Sequence, residues 1–140
     1  MFTTLEIELA GQVATIWMNR PDMHNAFDET LIAELTDDNL NDARALARML
    51  RVLAEMKKPT IARVQGAALG GGTGLTAACD IAVATTKAFF ATSEVKFGII
   101  PSAISPYVVR AIGARQAYRY FQSAERIDAT RARELGLVHE

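Results

Sequence analysis

Between Gly66 and Asp80 the sequence GAALGGGTGLTAACD carries five glycines and no charge before its last residue. Apolar, β-rich runs flank it, TIARVQG ahead and IAVAT behind. Two short buried strands around a small-residue helix make a βαβ unit with parallel strands. Gly, Ala and Thr let such a helix approach a sheet closely, because little side chain stands between them. A glycine-rich backbone ahead of a helix also presents N–H groups, either to a bound phosphate or to charge that develops during a reaction. Close packing, phosphate cradle and oxyanion hole are three readings of one stretch.

The two nucleotide readings fare poorly. A P-loop needs Lys followed by Ser or Thr at the end of the glycine run, and here Gly72 is followed by Thr73 and Gly74. A dinucleotide site needs an acidic residue at a strand end ~20 residues on. Glu94 has about that spacing, but it lies in TSEVKFG, which reads as a turn. That same glutamate, one βα unit downstream, falls where the loops of an open parallel sheet gather around a ligand crevice. A carboxyl group near backbone donors can move a proton while the donors hold an oxyanion. A solvated surface glutamate is the plainer alternative.

Elsewhere, LEIEL and QVATIWMN alternate as a β-hairpin around Gly11, with Trp17 in the strand core. After the turn NRPDMHNAF, helical spacing begins at Asn25 or Asp28 and runs through Leu35. A second helix spans about Leu40 to Met56, ahead of Pro59. Past the glycine stretch, ATSEVKFGIIP reads as a turn. Ser105 and Pro106 form an N-cap and N1 pair for the helix PYVVRAIG, stopped by Gly113. Helices follow over 114–122 and, capped by Asp128, over 129–135. One junction is out of pattern: in TDDNLND one helix runs almost directly into the next, where an α/β chain usually returns through a strand.

Fifteen basic and 16 acidic residues are scattered along the 140 residues, for a net charge of −1. No broad field exists to draw nucleic acid or an anionic membrane. A single cysteine and two isolated histidines offer neither a disulfide nor a His/Cys metal site. Glu6 and Glu8 interrupt the apolar core that a secretory signal needs, and the uncharged residues 64–79 are too few for a membrane span. A cytoplasmic, metal-free protein of one domain is expected. Cys79 reads as a packing residue and His24 as an exposed turn residue, while His139 carries no signal. Arg126, Arg131 and Arg133 with Glu125 and Glu134 read as a solvated face, and Tyr118, Tyr120 and Phe121 as helix packing.

The blocks KKPTIARVQGAALGGGTGLTAACDIAVATTKAFFATSEVKFGIIP and RAIGARQAYRYFQSAERIDATRARELGLV, with ATIWMNRPDMHNAF before them, together resemble the crotonase (enoyl-CoA hydratase/isomerase) superfamily in the family's own order. Within it they are most similar to the bacterial methylglutaconyl-CoA hydratase-like subgroup. The resemblance implies an α/β spiral of ββα units that binds acyl-coenzyme A thioesters, with no tightly bound cofactor, assembled as a homotrimer or hexamer. Two backbone N–H groups hold the thioester carbonyl in such proteins. By position Gly71 matches the second donor, and Glu94 matches the glutamate that exchanges a proton with the substrate α-carbon. The stretch around Met23, His24 and Ala26 matches one that borders the coenzyme's adenine end in the family, and Leu69 and Gly70 are expected on the coenzyme side of Gly71.

Three departures accompany the match. The block that usually supplies the first oxyanion donor has no counterpart at residues 38–39, where the connection is already out of pattern. The sequence stops at LGLVHE, ahead of the family's C-terminal helices. Gly74 stands three positions after Gly71, where two-glutamate hydratases carry their first catalytic carboxylate. An incomplete crotonase-like core is therefore expected. Its activity is read as hydration of an enoyl-CoA, with a one-glutamate double-bond isomerase and a non-catalytic acyl-CoA-binding protein as alternatives.

Overall fold

The computed structural model describes residues 5–10, 13–18 and 42–140, with side chains from residue 44 onward. Strands β1 (Leu5–Ala10) and β2 (Val13–Met18) pair antiparallel, with Ala10 opposite Val13. The expected hairpin is therefore built. The first expected helix, the junction at 38–39, the Trp17 side chain, and Met23, His24 and Ala26 lie outside the described residues. Helix α1 (Asp42–Ala54) closes ahead of Pro59 as expected. It buries Met49, Leu50 and Leu53 in the core.

From β3 (Thr60–Val64) onward the chain alternates between two sheets. Strand β4 (Ala67–Leu69) enters the second sheet, and helix α2 (Gly71–Ala78) follows. Strand β5 (Ile81–Ala84) returns to the first sheet beside β3, and β6 (Phe89–Ala91) joins the second beside β4. The orders are β1-β2-β3-β5 and, with the short β7 (Ile127–Asp128), β4-β6-β7. Each strand pair thus puts one strand in each sheet before the chain turns away, which is the spiral of ββα units implied by the resemblance. Strands β2, β3 and β5 run parallel, so the βαβ reading of the glycine stretch is correct.

The structure adds detail to this reading. Within the glycine stretch Ala67–Leu69 forms a strand of its own, and α2 begins at Gly71, inside the glycine run. A three-residue strand has no periodicity to read, and a helix of Gly and Thr lacks propensity and is held by burial instead. Strand β6 supplies the partner for β4, and the turn at TSEVKFG contains a 3-10 helix, Glu94–Phe97. Helix α3 (Ser105–Ile112) begins one residue earlier than expected: Ile104 is its N-cap, and the Ser105 hydroxyl donates to Ser102 O instead of capping.

Helices α4 (Ala114–Ser123) and α5 (Ala129–Leu135) complete the chain. Asp128 caps α5 by accepting the Arg131 N–H at 2.8 Å, as expected. The charged side chains there lie on the surface in the pairs Arg119–Glu125 and Arg131–Glu134. Arg126 is an exception in detail, since its guanidinium stacks 3.4 Å from the Phe89 ring. Tyr120 is buried and Phe121 partly so, whereas Tyr118 is exposed. The last residues return to β5: His139 N donates to Ala82 O at 2.7 Å, and Ala84 N to Glu140 O at 2.8 Å. His139, which carried no signal in the sequence, also accepts the Ala82 N–H on Nδ1.

Candidate active site

The first turn of α2 is held from two sides. Gly70 N donates to Ala91 O at 2.8 Å, tying the helix start to β6. The fully buried Thr73 hydroxyl lies 2.8 Å from Ala68 O and 3.1 Å from Ala91 O, bridging β4 and β6. Gly70 itself sits at φ 52°, ψ −114°, a conformation open to glycine and strained for any other residue. Gly71 is then the first helical residue. Its amide belongs to the group at a helix start that finds no carbonyl within the helix, and the helix dipole makes that end favourable to negative charge.

Glu94 meets this turn. A Cβ placed on Gly70 would lie 3.4 Å from Glu94 Oε1 and 3.7 Å from Ser93 Oγ, so the carboxyl stands within van der Waals reach of this glycine turn. Glu94 Oε2 is buried without a hydrogen-bond partner. Burial pushes the Glu94 carboxyl above its ordinary range, against a smaller opposing pull from its own backbone N–H. A carboxyl poised this way accepts and returns protons closer to neutrality than a solvated one.

Of the residues singled out from the sequence, Leu69, Gly70, Gly71 and Glu94 come together here, all partly exposed. Gly74, one turn further into α2, is buried, and a Cβ there would stand 2.2 Å from Ile104 Cγ2. Sequence reasoning did not find Thr73 or Ile104. The hydroxyl acceptors of Thr73 are five and 18 residues away, so no local pattern reports them. An apolar groove of about 670 Å³ opens beside the 3-10 helix, lined by Val95, Ile99, Ile100, Val109 and Phe121 among others.

The far end of α2 is built differently. Thr60 donates from both N and Oγ1 to Asp80 Oδ2, each at 2.9 Å, and Asp80 N donates to Thr60 Oγ1 at 3.0 Å. These bonds hold the Asp80 carboxyl below its usual range. Burial pushes the neighbouring Cys79 thiol up to about 12, so it is no nucleophile at neutral pH. Among the described residues no group of three or more His, Cys, Asp or Glu could hold a metal, and no helix is long and apolar enough to cross a membrane.

The enoyl-CoA hydratase/isomerase family model matches residues 38–140. The chain belongs to the enoyl-CoA hydratase/isomerase family. A Legionella pneumophila protein of known crystal structure, described as an enoyl CoA hydratase/isomerase (crotonase), is 40% identical, with a TM-score of 0.88 over 100% of this chain and 70% of its own. Enoyl-CoA hydratase ACTT6 of Alternaria alternata is 37% identical over 106 residues, which is 76% of this chain and 36% of that protein. Hydroxycinnamoyl-CoA hydratase-lyase of Pseudomonas fluorescens is 26% identical over 181 residues, taking in 98% of this chain and 66% of its own. The match to ACTT6 thus spans about a third of that curated relative's length. Family membership bears out the resemblance at the level of the crotonase superfamily, together with the α/β fold it implies.

Proposed function

We propose that this chain is the core of an enoyl-CoA hydratase, in which Gly71 and Glu94 form the reacting centre. The observation that carries the proposal is the buried, unpartnered Oε2 of Glu94 beside the glycine turn that opens α2. Ionised Glu94 takes a proton from water as the water oxygen bonds to the substrate β-carbon. The electron pair of the double bond moves onto the thioester, giving an enolate whose oxygen accepts the Gly71 N–H. Glu94 then returns its proton to the α-carbon, so that one water is added and the carboxylate is restored. A preorganised donor of this kind is worth ~3 kcal/mol at such a centre.

The substrate is carried as a coenzyme A thioester, with Leu69 and Gly70 and the stretch Met23, His24 and Ala26 on the coenzyme side, and no tightly held cofactor. A homotrimer or hexamer in the cytoplasm completes this reading. A segment bearing the other oxyanion donor belongs at 38–39. The placement is supported by the family match, which begins at residue 38, and the existence of extra residues by the alignment with the Pseudomonas protein, which runs over 181 residues against this chain's 140.

A second reading, isomerisation of a 3-enoyl-CoA by Glu94 alone, is favoured by Gly74, which brings no second carboxyl to this turn. Incubating the protein separately with a 2-enoyl-CoA and a 3-enoyl-CoA, then identifying the products, separates the two. A 3-hydroxyacyl-CoA from the first substrate is the expected result. Migration of the double bond without hydration favours the isomerase, and tight binding with no conversion of either overturns both.

A further inference from the structure

Gly70 and Gly74 are stacked one helical turn apart, since Gly74 N donates to Gly70 O at 3.1 Å. Groups one turn apart on a helix are separated by roughly 5–6 Å. At the level of Gly70 the neighbour is the Glu94 carboxyl; at the level of Gly74 it is Ile104. The side chain of Ile104 reaches so far into the missing position that a Cβ on residue 74 would stand 2.2 Å from its Cγ2 and 2.6 Å from its Cβ. Ile104 is 1% exposed and sits at the N-cap of α3, which packs directly on α2. A β-branched side chain anchored at a helix start has few other rotamers to adopt, so the space cannot be regained by a small adjustment.

We infer that Ile104 is the specificity-determining residue of this site: by occupying the side-chain space of position 74, it restricts the first turn of α2 to one carboxyl, Glu94, and walls the next turn with hydrocarbon. The inference rests on the reading of Glu94 as the acid–base group. Residues 74 and 104 form one steric unit, in which a side chain at 74 requires a smaller residue at 104. A second acid cannot be added to the site without opening that wall.

The test is a double-mutant cycle in the full chain with Gly74→Ala and Ile104→Ala, followed by thermal unfolding. Gly74→Ala is expected to lower Tm sharply when Ile104 is present, and to cost little or raise Tm in the Ile104→Ala background, where the new methyl enters vacated space. Equal effects in the two backgrounds overturn the inference. A second measurement reads the site itself, by introducing Gly74→Glu into the Ile104→Ala background. A carboxyl at 74 would stand one turn from the glycine that Glu94 meets, and neighbouring carboxyls oppose each other's ionisation, so the ascending limb of kcat/KM against pH should move up by about one unit or more relative to Ile104→Ala alone. An unmoved limb in a folded variant sinks the idea. Absence of turnover in the unmodified chain sinks the hydratase reading instead, and the unfolding cycle still decides the steric claim.

Discussion

At the C-terminal end of α2 the Asp80 carboxylate receives two hydrogen bonds from Thr60, while beyond the N-terminal end the Glu94 carboxyl keeps a buried oxygen with none. The two acids flank opposite ends of one helix and shift in opposite directions, Asp80 downward and Glu94 upward. The cavities beside them differ as well. An apolar groove opens near Glu94, whereas Thr76, Asp80, Arg110 and His139 help line a polar cavity of about 320 Å³ at the other end. A satisfied carboxylate ties β3 to the end of the helix and has little left to do. An unsatisfied one weakens the fold slightly and holds its capacity to exchange protons for a ligand.

Glu94→Gln breaks the contrast most severely. Turnover of a 2-enoyl-CoA should fall by a factor of about 10²–10⁴, the usual contribution of a positioned acid–base group. Stability should move the other way. Because burial raises the folded-state pKa of Glu94 above its ordinary 4.5, its ionisation weighs against the fold; the penalty is absent below that pH and grows as pH rises through the folded pKa. The variant should therefore unfold at a higher temperature than the parent at neutral pH and match it in acid. In the parent, kcat/KM should rise with pH along a limb lying above the ordinary glutamate range.

Gly70→Ala comes next in size. It forces a side chain into a glycine-only conformation and against Oε1 of Glu94, so a loss of about 1–3 kcal/mol is expected in denaturant unfolding. A drop in kcat should accompany it. Normal kcat in a destabilised but folded variant would separate the turn from the chemistry.

Asp80→Ala sharpens the comparison from the structural side. Its surface position limits the cost to about 1–2 kcal/mol, and kcat should be unchanged. Since the folded-state pKa of Asp80 is depressed below its ordinary 3.8, its contribution is present above that value and disappears as pH falls through the folded pKa. The stability gap between parent and variant should accordingly close in strong acid; a gap that persists there argues against the carboxylate as its source.

The smallest effect concerns Cys79. With its thiol at about 12, the thiolate is roughly one part in 10⁴ at pH 8, so a thiol reagent should label it slowly until denaturant unfolds the protein. Cys79→Ala should leave turnover intact. Rapid labelling of the native protein would contradict the burial seen here.

Much of this architecture can be read from residues that act on their close neighbours. Apolar runs before and after a glycine-rich helix declare the parallel unit, Asp128 caps the helix that follows it, and Gly113 lies between α3 and α4. Position 94 stood out in the sequence because it lies one βα unit beyond a glycine turn, and the resemblance to the family, rather than its own surroundings, raised it above a solvated surface glutamate. The rest depends on contacts between distant residues. Strands β4 and β6 are three residues each and define one another by pairing. Thr73 draws its meaning from two carbonyls in different strands. The resemblance marks Gly74 as a vacant carboxylate position, but only the structure shows Ile104, 30 positions later, filling its side-chain space.

The return of the last residues to β5 bears on a different hazard. Among the described residues, strand β5 is the outer member of the sheet β1-β2-β3-β5, and an outer strand with open N–H and C=O groups is a template for joining another chain. His139 and Glu140 meet those groups from within the same molecule, at Ala82 O, Ala82 N and Ala84 N. The tail thereby works as a seal against edge-to-edge association, made from a segment 57 residues away along the chain.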